Sequence, residues 1–108
     1  MVEFVNQGTV DDISGTVLYT GPESSILKSV TVKILTLSFN NPLAYVLTLE
    51  RYDAKTATTI VLYEITLAAG DTVNDTLTYA LNTGDTLTVY SDIPGTSYYI
   101  YGINYASN

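Results

Sequence analysis

The chain has 108 residues, and eleven acidic side chains against four basic ones (Lys28, Lys33, Arg51 and Lys55) give it a formal net charge of −7. It contains no cysteine and no histidine, which excludes disulfides, thiolate metal sites, thiol nucleophiles and the commonest general base. So few cations cannot neutralise a run of phosphates, so neither nucleic acid nor an anionic membrane is expected as a partner. The length suits one domain with a real core, and stability must come from packing, strand pairing or association.

Met1-Val2-Glu3-Phe4-Val5-Asn6 has neither the basic nor the apolar region of a secretory signal. Thr, Asn or Asp interrupts every apolar run before it reaches membrane-spanning length. Residues 1–14 hold a short apolar cluster (Val2, Phe4, Val5), then Asn6-Gln7-Gly8 and Asp11-Asp12, and no period long enough to predict a strand. They are expected to form an N-terminal arm. It lies either on its own sandwich, as a strand folded back on the sheet, or against a neighbouring subunit.

Gly15 to Thr20 reads as a first strand, closed by the turn Gly21-Pro22-Glu23-Ser24. From Ile26 to Phe39 the chain alternates, with Val30, Val32 and Ile34 on one parity and Leu35, Leu37 and Phe39 on the other. Such a switch requires a bulge, or a strand that passes from one sheet to the other. Asn40-Asn41-Pro42 ends the strand, since proline cannot donate to a ladder. Leu43 to Tyr52 follows, with Leu43, Tyr45, Leu47 and Leu49 on one face. After the polar loop Asp53–Ala57, Thr59 to Leu67 puts Val61, Tyr63, Ile65 and Leu67 inward.

Two copies of one phrase come next, Leu67-Ala68-Ala69-Gly70-Asp71-Thr72-Val73 and Leu81-Asn82-Thr83-Gly84-Asp85-Thr86-Leu87. Glycine accepts positive φ and the aspartate can bond back to the backbone, so each reads as a tight reversal. One strand's length separates them, with Val73, Leu77, Tyr79 and Leu81 inward, and a meander of antiparallel strands is expected. Leu87 and Val89 face inward after the second corner, Asp92-Ile93-Pro94-Gly95 turns the chain, and Thr96 to Ala106 is the last strand.

Seven or eight strands, seventeen threonines and ten tyrosines, with no helical period, predict an all-β antiparallel sandwich over residues 15–108. Immunoglobulin-like and jelly-roll windings both remain open. The chemistry-bearing residues are sparse. Asp53, Asp71, Asp85 and Asp92 sit at turns, where aspartate is favoured for backbone bonding alone, and no two are placed as a hydrolytic pair. Ser24, Ser25 and Ser97 have no histidine to activate them. Asp11-Asp12 and the Gly-Asp corners could offer oxygens to calcium, but without the dense Asp-x-Asp-x-Asp spacing of a dedicated loop. No catalytic activity, cofactor or metal is expected.

The aromatic pattern says more. In the last strand Tyr98 and Ile100 share one parity, while Tyr99, Tyr101, Ile103 and Tyr105 share the other. A strand with one face in water should not be apolar on both. Either the second set is core and Tyr98 is simply exposed, or one face meets another chain, where tyrosine combines an apolar body with a hydrated hydroxyl. Ile60 and Leu62, opposite Val61 and Tyr63, repeat the surplus. The candidate interface is therefore Tyr98, Tyr99, Tyr101 and Tyr105 with Ile60 and Leu62, plus Val2, Phe4 and Val5 of the arm.

Val17-Leu18-Tyr19-Thr20-Gly21-Pro22, then Ile26-Leu27-Lys28-Ser29-Val30-Thr31-Val32, then the Leu-x-x-Gly-Asp-Thr corners, resembles small β-sandwich virion proteins of tailed bacteriophages. The likeness covers residues 16 to about 104. Such proteins serve as head decoration (cement) proteins and as tail or fibre modules. The resemblance implies a capsid decoration protein on the virion surface, made in the host cytoplasm. It would bridge major capsid protein subunits and associate with its own copies as a dimer or trimer. Residues 1–14, which match nothing in the shared pattern, would be the arm that reaches a neighbouring capsid or cement subunit. A tail-fibre or baseplate module is the alternative. A third reading, from another class, is a carbohydrate-binding module that stacks sugars on Tyr45, Tyr52 or the terminal tyrosines, although sugar platforms favour tryptophan and the chain has none.

Overall fold

A computed structural model describes residues 2–10, 15–20, 30–82 and 84–106. They form nine strands: β1 (Val2–Val10), β2 (Thr16–Thr20), β3 (Val30–Asn40), β4 (Tyr45–Asp53), β5 (Thr58–Leu67), β6 (Thr72–Asp75), β7 (Tyr79–Asn82), β8 (Thr86–Ser91) and β9 (Thr96–Ala106). No helix occurs among the described residues. The strands make two antiparallel sheets, β1-β9-β3-β6 with β7 also on β3, and β2-β8-β4-β5. The fold is the all-β sandwich that the alternation predicts.

The pairings nest. The β4–β5 hairpin is innermost, then β3 pairs with β6 and β7, then β2 with β8, and finally β1 with β9. One long ribbon folded on itself in this way is a jelly roll, which removes the immunoglobulin-like alternative. It also corrects one expectation and decides another. Of the two placements open to the N-terminal segment, Val2–Val10 takes the first, as an edge strand laid on its own sheet and paired over nine positions with β9. Its backbone is engaged in its own sheet, although its sequence shows no period. The Gly-Asp corners do not build a meander. The first leads from β5 to β6 and the second from β7 to β8, so both carry the chain between sheets. In both, the aspartate N–H donates to the carbonyl three residues back (Ala68 at 3.1 Å, Asn82 at 3.0 Å), and glycine holds φ of 81° and 84°. The local turn is as predicted; its place in the topology is not local.

The inner faces carry the core: Ile34, Leu37 and Phe39 of β3, Tyr45, Leu47 and Leu49 of β4, Leu87 and Val89 of β8, with Val10, Leu81 and Ile100. The parity switch in β3 is a bulge, since Ile34 faces Gly102 and Thr36 faces Tyr101, leaving Leu35 as the extra residue while β3 stays in one sheet. The expected strand between the corners is two strands, β6 and β7, separated by Thr76–Thr78 and both laid on β3. At the break Asp75 accepts the Leu77 N–H at 3.0 Å, and Leu77 points out into solvent rather than inward. Leu43 is likewise exposed, because Asn41 accepts its N–H at 2.9 Å in a turn that precedes β4. The turn at residues 21–24 and the start of the second predicted strand (26–29) lie outside the described residues.

Candidate interaction surface

β9 lies between β1 and β3, and this position sorts its side chains. Ile100 is fully buried and Tyr98 packs on the core, so both face inward. Tyr98 thereby lies on the opposite face from Tyr99 and Tyr101. The opposite parity looks out. Directly paired residues share a face, which aligns Val5, Tyr101 and Thr36 in one row and Gln7, Tyr99 and Ser38 in the next. Val5 is 56% exposed and Tyr99 37%, while Tyr101 is half-buried in its row. Polar groups frame the patch, with the Ser38 hydroxyl donating to Asn74 Oδ1 at 3.1 Å. Three of the expected residues (Val5, Tyr99 and Tyr101) thus meet on one outer face. Val2, Phe4 and Tyr105 have backbones opposite Asn104, Gly102 and Thr31, and their side chains lie outside the described set.

The other pair does not join them. Ile60 and Leu62 belong to β5, the edge of the second sheet. There Glu50 faces Val61 and Leu49 faces Tyr63, so Leu62 is a bulge residue that turns in to pack on the core. Leu62 is therefore turned away from the exposed Ile60 and Val61. The same bulge reverses the parity ahead of it, leaving Val61 exposed where it was expected inward, with Ile60 53% exposed beside it. Tyr45 is buried and its hydroxyl donates to the Asp71 carbonyl at 2.8 Å, so it offers no stacking platform.

The turn aspartates serve the backbone. Asp92 accepts the Val46 N–H at 2.7 Å and Asp53 the Lys55 N–H at 3.0 Å. Asp85, 1% exposed, accepts the N–H groups of Asn82 and Ala54 and pairs with Arg51 at 3.0 Å. Burial alone would push its carboxyl up, but the N–H groups of Ala54 and Asn82, with Arg51, outweigh that and hold it below the usual range. Among the described residues no three acidic side chains gather closely enough to hold a metal ion.

Sequence reasoning missed one feature. Between the edge strands β5 and β6 the sandwich opens into a groove of about 340 Å³, with Ile65, Val73 and Leu77 on its walls and Tyr63 and Asp75 in it. Asp75 is only 8% exposed and accepts the Tyr79 hydroxyl at 2.7 Å as well as the Leu77 N–H. The Tyr63 hydroxyl is buried beside Asp75 and leans toward it without full hydrogen-bond geometry. Burial first, and then Asp75 through both its charge and hydrogen bonding, holds the protons on Tyr63 and Tyr79 far above the normal tyrosine range. The polar triplet Asn74-Asp75-Thr76, breaking an apolar alternation, was the available signal. Compared with protein-family models and with curated proteins, the sequence matches none.

Proposed function

We propose that this chain is a non-catalytic structural subunit that works by covering and joining other protein surfaces. Following the sequence resemblance, its place is the outer surface of a tailed-phage head, as a decoration protein that bridges major capsid protein subunits. The observation that carries this reading is the Val5–Tyr101 and Tyr99 patch: an apolar outer face on a sheet whose inner face is already filled by the core. Exposed tyrosine with a polar frame is the composition of protein interfaces. The jelly roll occurs in viral capsid proteins and in lectins alike, so the fold supports the reading by analogy only. Association would draw on roughly 25 cal/mol per Å² of apolar surface removed from water, less the cost of docking, and a lattice would multiply each modest contact.

The test is co-sedimentation of the purified chain with undecorated heads of the phage whose genome encodes it. The wild type should saturate the heads and raise their resistance to heat. The double variant Val5→Ser/Tyr99→Ser should fold normally and bind at least about tenfold more weakly. Absence of wild-type binding to heads would reject decoration. Because Val2–Val10 is a sheet strand, deleting it would remove an edge of the fold and cannot serve as the test.

A further inference from the structure

We propose that the groove between β5 and β6 is a receptor for one aliphatic cation, the side chain of a lysine or arginine presented by a partner protein. Three features meet there. First, Asp75 is almost fully buried, and no salt bridge to it is recorded among the described residues. Its two recorded donors, the Leu77 N–H and the Tyr79 hydroxyl, are neutral. A carboxylate offers about four lone-pair directions, so acceptor capacity is left over. A buried charge is normally paired, and one without a counter-ion carries a desolvation cost that an arriving cation offsets.

Second, the Tyr63 hydroxyl is buried beside that carboxylate, leaning its proton toward Asp75 without reaching full hydrogen-bond geometry. It keeps its proton, so its oxygen can accept from an ammonium or guanidinium while the ring packs on the stem. Third, the approach to these two groups is apolar. Ile65, Val73 and Leu77 line a groove whose 340 Å³ stands at the low end for ligand sites and suits a single long side chain. Lysine and arginine have that division, a methylene stem carrying a charged head. Leu77 fits the same role: it is exposed at the groove's rim, placed there by the kink that Asp75 stabilises. The net charge of −7 favours the approach of a basic partner.

The inference deepens the partner side of the proposed function and rests on it only for the word partner. The chemistry of the groove can be tested without heads. Amide shifts of Asn74 to Leu77 are followed by NMR while Gly-Arg-Gly, Gly-Lys-Gly or Gly-Leu-Gly is added, each blocked at both ends, with n-butylammonium as the free amine. The arginine or lysine peptide should give saturable shifts at these residues, and Gly-Leu-Gly should not. Asp75→Asn should weaken peptide binding at least about tenfold, the scale of a charge-assisted bond. Tyr63→Phe keeps the ring and removes a hydroxyl whose one described neighbour of opposite character is Asp75, so it should leave the fold intact and weaken binding several-fold. Equal shifts with Gly-Leu-Gly, binding of n-butylammonium while neither the arginine nor the lysine peptide binds, or unchanged affinity in Tyr63→Phe would overturn the proposal. Peptide binding with no head binding would reject decoration and leave the groove's role standing; head binding without peptide binding would do the reverse.

Discussion

Replacing Asp85 with alanine is the sharpest probe of how this sandwich closes at one end. The carboxylate is 1% exposed and accepts two backbone N–H groups, from Asn82 and Ala54, each at 2.9 Å, besides the Arg51 guanidinium at 3.0 Å. It therefore ties the β7–β8 crossing to the end of β4. Alanine would strand both N–H groups, at about 1–3 kcal/mol each where water cannot reach, and leave Arg51 without its partner. Arg51 is partly exposed and can rehydrate, so the lower half of the range for a broken buried pair applies, about 3–4 kcal/mol. A domain of this size has roughly 5–15 kcal/mol in all. Urea unfolding followed by far-UV circular dichroism measures the change. The same phrase at the first corner supplies the control: Asp71 is exposed, and Asp71→Ala should cost under about 0.5 kcal/mol. The pH dependence has a definite sign. Asp85 is held below its usual value of 3.8 when folded, so its contribution is complete above that pH and fades as pH falls through the folded value. Wild type should lose stability in that acid window more steeply than Asp85→Asn. A loss below 1 kcal/mol in Asp85→Ala, or equal losses at the two corners, would refute the reasoning.

Other outcomes follow from burial and backbone. Leu62→Ala should cost about 2–3 kcal/mol because the residue packs on the core, whereas Val61→Ala beside it should cost under about 0.5, both read from urea midpoints. Ala57 is held at φ 53°, so Ala57→Gly should raise the thermal midpoint slightly, by about 0.5 kcal/mol of stability, against the usual direction for glycine. Tyr45→Phe removes hydroxyl bonds to the Asp71 and Phe39 carbonyls and should cost about 1 kcal/mol by the same assay. The Val5→Ser/Tyr99→Ser variant should keep the wild-type unfolding midpoint to within about 0.5 kcal/mol per site, since both side chains are exposed.

The class of fold was legible wherever the physics is local. Alternation along β3, β4 and β8 placed Leu37, Leu47, Leu49, Leu87 and Val89 in the core, because a strand with one buried face must repeat at two. The parity break at Leu35 announced its bulge for the same reason. Positive φ at Gly70 and Gly84 was legible because glycine alone takes it freely. Legibility failed where a residue's fate depends on a distant strand. Val61 and Leu62 exchange roles through a bulge against β4 that period-two reading does not contain. In the last strand both parities carry large apolar residues, the outer one more of them, and only the position of β9 between β1 and β3 turns Tyr98 and Ile100 inward and leaves Tyr99 and Tyr101 outside.

What the sequence determined alone is the β character, the two Gly-Asp corners, and the lack of any thiol or imidazole chemistry, since each rests on one residue type or a short repeat. Tertiary structure decided the rest: the nested winding, the two corners as crossings between sheets, Val2–Val10 as an edge strand, and the meeting of Tyr63 with Asp75 in one groove. Strand pairing is a contact between segments far apart in the chain. A turn residue sets the direction of its own backbone and carries no information about the strand that will lie beside it.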